Sequence, residues 1–144
     1  MGRPQHYKHK YVKEVEKAWA AGFFDGEGCT TITSCQPGKN ATNKKRPHRG
    51  LRMSIAQVKV GPLLQFLDAV RLGTIRGPYK YGTNKQFHFQ WNASGLDVIG
   101  VLDVLWPYLS TIKQIQALAK VEEYCTYLER YPPRVNQFDR RVHE

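Results

Sequence analysis

Residues 11–24, YVKEVEKAWAAGFF, place Val15, Ala18, Trp19, Gly22 and Phe23 on one side and charges on the other, the spacing of an amphipathic helix. Gly26 and Gly28 are read as its stop. The period then changes. CTTITSCQ (29–36) alternates and is β-branched, which predicts a strand. PGKNATNKKRPH (37–48) is rich in Pro, Gly, Asn and Lys and reads as a basic loop. GLRMSIAQVKV (50–60) predicts a second strand, with Leu51, Met53 and Ile55 on one face and Arg52, Ser54 and Ala56 on the other. GPLLQFLDAVRLG (61–73) predicts a short helix with Pro62 in its first turn and Gly73 as its stop. TIRGPYKY (74–81) and KQFHFQWN (85–92) predict a hairpin around Gly82-Thr83-Asn84, with Phe87, Phe89 and Trp91 inward and Gln86, His88 and Gln90 outward. Ser94 with Asp97, and Thr111 with Gln114, have capping-box spacing and open two closing helices, 95–109 and 112–130.

The order is helix, two strands, helix, two strands, two helices. It predicts an α+β fold: one four-stranded antiparallel sheet with helices on one face. The other face would carry basic and amide side chains, and a twisted strand ribbon fits a DNA major groove. A single domain over 11–131 is expected, with a basic N-terminal arm at 1–10 and a tail at 132–144.

Charge sharpens this picture. The formal net charge is +10. Between Gly28 and Leu96 there are eleven basic residues and one acid, Asp68, so the whole excess lies in the middle of the chain. That segregation suits a surface that meets phosphates. No run approaches the ~18 consecutive apolar residues of a membrane span, so no membrane partner is expected. Three cysteines, Cys29, Cys35 and Cys125, are too few and odd in number for a disulfide framework, and point to a reducing, intracellular setting.

Ala18, Gly22 and Gly26 recur every four residues, a bulk-free stripe on the first helix. Such a stripe admits another helix closely. The partner is either another element of the same subunit or a second copy across a two-fold axis. A two-fold pairing would bring two copies of Glu27 together. Their repulsion calls for a cation, and Mg²⁺, a hard ion for oxygen ligands, fits that place and phosphodiester hydrolysis. The alternative reading of DGEG is a plain helix-ending turn.

AAGFFDGEG, Ala20 to Gly28, resembles the signature of the LAGLIDADG homing endonucleases. The glycine and carboxylate positions match, while Ala20 stands where a large apolar residue is usual. The element order resembles the family's αββαββα core with an added C-terminal helix, and a single motif resembles its homodimeric branch. The resemblance implies a staggered double-strand cut in a long pseudo-palindromic duplex. It implies Glu27 as metal ligand, with Mg²⁺ as cofactor, Mn²⁺ able to substitute and Ca²⁺ supporting binding without cleavage. Asp25 would bond backbone at the helix interface, which would comprise Ala18, Ala21, Gly22, Asp25 and Gly26. PYLSTIKQIQA (107–117) resembles the segment carrying an active-site lysine, here Lys113. Gln57 or Lys59 would help order the active-site water, and the alternation is read as carrying Lys59 on the face of Arg52 with Gln57 beside it. The implied base readers are Thr31, Thr33, Arg52, Ser54, Arg76, Lys80, Gln86, His88 and Gln90. Lys44, Lys45, Arg46 and Arg49 would meet phosphates. Double-stranded DNA and a second copy are the implied partners, with no small-molecule substrate. The rival readings are a non-cleaving RNA-splicing maturase or transcriptional regulator on the same scaffold, and a basic RNA-associated protein whose DGEG is only a turn.

Overall fold

A computed structural model of the chain describes residues 13–35, 47–80 and 86–133. The expected arm, Lys44, Lys45 and Arg46, the hairpin tip at 82–84 and the tail beyond 133 lie outside the described residues.

Helix α1, Glu14–Glu27, opens with two acids in its first turn, the favourable sign for a helix N-terminus. The Glu16 carboxylate accepts from the Lys13 N–H at 3.3 Å. Ala20, Ala21 and Phe24 are its buried residues. The buried face is therefore rotated from the expected one. Trp19 and Phe23 only flank the core, while Val15, Ala18 and Gly22 are exposed. Ala21, expected at an interface, is fully buried inside the subunit. The helix also runs past Gly26 to Glu27, with no turn between it and β1, Gly28–Cys35. Gly28 is extended (φ −98°, ψ 163°) and serves as helix cap and first strand residue at once.

The sheet order is β1-β2-β4-β3, all antiparallel, with β2 His48–Gln57, β3 Thr74–Lys80 and β4 Phe87–Ser94. Leu51, Met53, Ile55 and Trp91 point to the helices and are buried with Phe24, Leu63, Phe66, Val98, Val101 and Leu105. Phe66 meets Trp91 edge-on at 4.7 Å, and the indole N–H donates to Leu72 O at 2.9 Å, so its polar end is satisfied. The remaining helices are α2 Val60–Val70, α3 Leu96–Leu105 and α4 Thr111–Arg130, with a 3₁₀ turn at Trp106–Tyr108.

Several local expectations change. β2 stops at Gln57, and Lys59 is the N-cap of α2 rather than a strand residue. Gln57 shares the parity of Ile55, on the helix side, so neither residue joins Arg52. α2 ends with Arg71 in the left-handed region (φ 59°), two residues before Gly73. Ser94 is still paired with Arg52 in β4, so Gly95 (φ 61°) opens α3 without a side-chain cap. α4 is capped by Ser110, whose hydroxyl accepts from the Lys113 N–H, one residue earlier than the expected Thr111. Cys29 and Cys125 are exposed free thiols.

The largest change lies in β3. Arg76 pairs with Gln90 and Tyr79 with His88, so β3 advances three residues while β4 advances two. This is a β-bulge at Gly77 and Pro78, and one extra residue reverses the alternation beyond it. Tyr79 therefore takes the outward face. Lys80 leaves it and pairs with Phe87, its ammonium 5.8 Å from that ring. Phe87, expected inward, is the first residue of β4 and is 53% exposed.

Candidate functional site

Two helix ends meet where the sheet begins. α1 ends with Asp25 and Glu27 and no basic residue in its last turn. Carboxylates are the unfavourable sign there, where the macrodipole is negative. α4 carries Lys113 in its first turn, unfavourable for the opposite reason. The structure resolves both by exchange. The Asp25 carboxylate accepts from the Ser110 N–H at 3.1 and 3.2 Å and from its hydroxyl at 3.0 Å, so it lies at the N-terminus of α4. The Lys113 ammonium donates to Gly28 O at 2.7 Å and lies 5.8 Å from the Phe24 ring, so it lies at the C-terminus of α1. Each charge is wrong for its own helix and right for the other.

Glu27 is left out of this exchange. It is exposed and forms no ion pair among the described residues. Among them, no group of three His, Cys, Asp or Glu comes together as a metal cage. A single exposed carboxylate at a negative helix end is a partial oxygen site. It fits Mg²⁺, which takes one or two carboxylates and completes its shell with water and phosphate oxygens. Asp25, expected to bond backbone at the helix interface, accepts here from the Ser110 N–H of its own subunit. Among the described residues the stripe beside it is open: a Cβ at Gly22 or Gly26 would meet nothing within 4 Å.

The uncovered sheet face is a polar array in register. Thr31, Arg52 and Ser94 form one row; Cys29, Ser54, Asn92 and Thr74 the next; Ala56, Gln90 and Arg76 the third; His88 and Tyr79 the last. Arg52 donates from Nε and Nη2 to Asn92 Oδ1 at 3.1 and 2.5 Å, which fixes the plane of the guanidinium. Ser54 Oγ lies 3.3 Å from Cys29 Sγ, and Gln90 Nε2 3.3 Å from His88 Nε2. Thr33 is spent locally, donating to Gly50 O at 3.2 Å. A groove of about 590 Å³ opens over this face, lined by Arg52, Thr74, Arg76, Tyr79, Gln90, Asn92 and neighbours.

The array thus gathers Thr31, Arg52, Ser54, Arg76, His88 and Gln90, with exposed Gln86 just before β4. It excludes Lys80. Arg49 has the parity of Leu51 and donates to Glu123 on α4 at 3.1 Å, so its charge is already partnered. Asn92, Thr74 and Tyr79 were missed. Asn92 and Thr74 continue the alternation of Gln90 and Arg76 and were findable by it. Tyr79 depends on the bulge.

The described residues thus place a basic and amide sheet face beside an acid–lysine helix junction. Solved structures share this fold. The homing endonuclease I-CvuI, in complex with the I-CreI target in Mg, aligns with a TM-score of 0.60 at 21% identity over 76% of this chain and 65% of that one. The group I intron-encoded homing endonuclease I-CeuI complexed with DNA gives 0.60 at 15% identity, over 83% of this chain and 56% of that one. The LAGLIDADG meganuclease I-CpaMI bound to uncleaved DNA gives 0.56 at 18%, over 74% and 34%. The chain has the LAGLIDADG homing endonuclease fold. It spans about two thirds or less of the length of these structures. No protein-family model and no curated protein matches it. No helix among the described residues is long and apolar enough to cross a membrane.

Proposed function

We propose that the chain is one subunit of a homodimeric, divalent-metal-dependent, site-specific DNA endonuclease. The observation that carries this is the place of Glu27: an exposed carboxylate with no ion pair among the described residues, one residue from the carbonyl that holds Lys113, at the head of the strand that begins the polar sheet face. A binding protein gains nothing from an acid so near phosphates, which it repels.

Two α1 stripes packed across a two-fold axis would bring both Glu27 carboxylates to the centre of a duplex lying along both sheets. Mg²⁺ bound there would supply Lewis acidity and a reactive water for phosphodiester hydrolysis. Glu27 holds its oxygen ligands at the helix end. Lys113 offers positive charge to the phosphate from a fixed position. Arg52, braced by Asn92, presents donors suited to guanine O6 and N7, and Gln90 suits adenine. One cut per subunit gives a staggered double-strand break, the event that starts homing of an intron or intein. Mn²⁺ would substitute for Mg²⁺, while Ca²⁺ would support binding only.

The test is a cleavage selection on a randomised pseudo-palindromic duplex library, with wild type and Glu27→Gln, in Mg²⁺ and in Ca²⁺. Cutting of a defined site by wild type in Mg²⁺ alone, with binding retained by Glu27→Gln, is the expected result. Enrichment by binding without cutting would replace this reading with a regulator or maturase. No enrichment would place the target outside the library or make the partner RNA, with RNA binding as the next test.

A further inference from the structure

We propose that Ser110 is a positioning residue for Lys113, an assignment that rests on the endonuclease reading for its catalytic meaning but not for its geometry. A serine hydroxyl has one proton to give and two lone pairs to receive. Here the proton goes to Asp25 Oδ1 at 3.0 Å, and a lone pair takes the Lys113 N–H at 3.3 Å. The Ser110 N–H adds a second tie to the same carboxylate. Ser110 is the only residue among those described that bonds both Asp25 and Lys113.

The result is a closed frame. One side is Asp25 to Gly28, three residues of α1 and its join to β1. The opposite side is Ser110 to Lys113, three residues of α4. The Asp25–Ser110 bonds close one end and the Lys113–Gly28 bond closes the other. Glu27 lies inside the first side, between two pinned points. Loosening Ser110 therefore frees the first turn of α4, the Lys113 ammonium and the backbone that carries Glu27 together. An ordinary cap would do less: it would hold the helix end and leave the ammonium to its own rotamer.

Three variants separate these roles. Ser110→Ala removes the hydroxyl. Ser110→Thr restores it. Ser110→Asp caps a helix as well as serine and keeps the backbone N–H tie, but its side chain cannot donate to Asp25 and repels it. The readouts are single-turnover cleavage of the selected duplex, DNA affinity in Ca²⁺, and the rate of reductive methylation of the Lys113 amine relative to Lys120 on the same helix. Positioning predicts that Ser110→Ala and Ser110→Asp slow cleavage by ~10²-fold, the scale of a small misplacement of a catalytic group. It predicts affinity close to wild type, faster methylation of Lys113, and recovery in Ser110→Thr. An Asp variant that matches wild type, or Lys113 methylation unchanged in Ser110→Ala, overturns the proposal. If wild type cuts no duplex, the endonuclease reading fails while the methylation rates still decide the frame.

Discussion

Gly28 has no side chain because the ring of Phe24 already occupies that space. A Cβ there would lie 2.2 Å from Phe24 Cδ2 and 2.4 Å from Cε2, and Phe24 is buried with nowhere to retreat. Gly28→Ala is expected to lower stability by about 1–3 kcal/mol, the cost of overpacking a filled core, measured by thermal or denaturant unfolding. A change below about 0.5 kcal/mol would mean that the junction is looser than described. At this scale the carboxylate spacing of DGEG was readable, and so was a lysine placed against its helix dipole. Ser110 was not, because Thr111 and Gln114 offered the same cap spacing one residue later. Only the three-dimensional return of Asp25 onto α4 selects between them.

Strands carry most of what was legible, since period-two alternation is a local property. It placed Leu51, Met53 and Ile55 inside and Arg52, Ser54 and Gln90 outside, as found. It failed where the count of residues between paired strands changes. The Gly77–Pro78 bulge exchanges Tyr79 for Lys80 on the outward face, and nothing in the alternation of one strand announces an extra residue relative to its neighbour. If that face reads DNA, Tyr79→Ala should alter base preference at the outer end of the half-site, while Lys80→Ala should leave the preference profile unchanged. Competition binding against single-base-pair variants distinguishes them, and the reverse pattern would refute the bulged register. Arg52→Ala should relax discrimination at one base pair by ~1–3 kcal/mol in the same assay. α2 and α3 show the corresponding limit for helices: their cores follow the apolar spacing, but α2 closes on Arg71 in the left-handed region and Gly95, ahead of α3, donates its N–H to Leu51 O of β2.

The whole molecule poses the question that one chain leaves to its partner. The stripe of Ala18, Gly22 and Gly26 is expected to be a packing surface, and among the described residues a Cβ at Gly22 or Gly26 would meet nothing within 4 Å. Gly22→Leu therefore has room in the isolated subunit and should leave its unfolding midpoint nearly unchanged, while converting a dimer to a monomer in sedimentation. A persistent dimer would move the interface elsewhere. Binding to DNA by the charged sheet should fall steeply as salt rises, with a slope set by the number of phosphates neutralised. A flat salt response would remove the sheet as the contact surface. One consequence of the α1–β1 join remains. With no residue between Glu27 and the first strand position, the proposed cutting and reading would belong to a single stiff ruler. Its zero mark is the carboxylate, and its first graduations are the outward residues of β1. Exchanging Thr31, or Arg52 paired with it on β2, would change the word that is read, but the break would stay at the same offset from the centre of that word. Moving the break would require lengthening the ruler itself, at the one junction where the ring of Phe24 leaves no room.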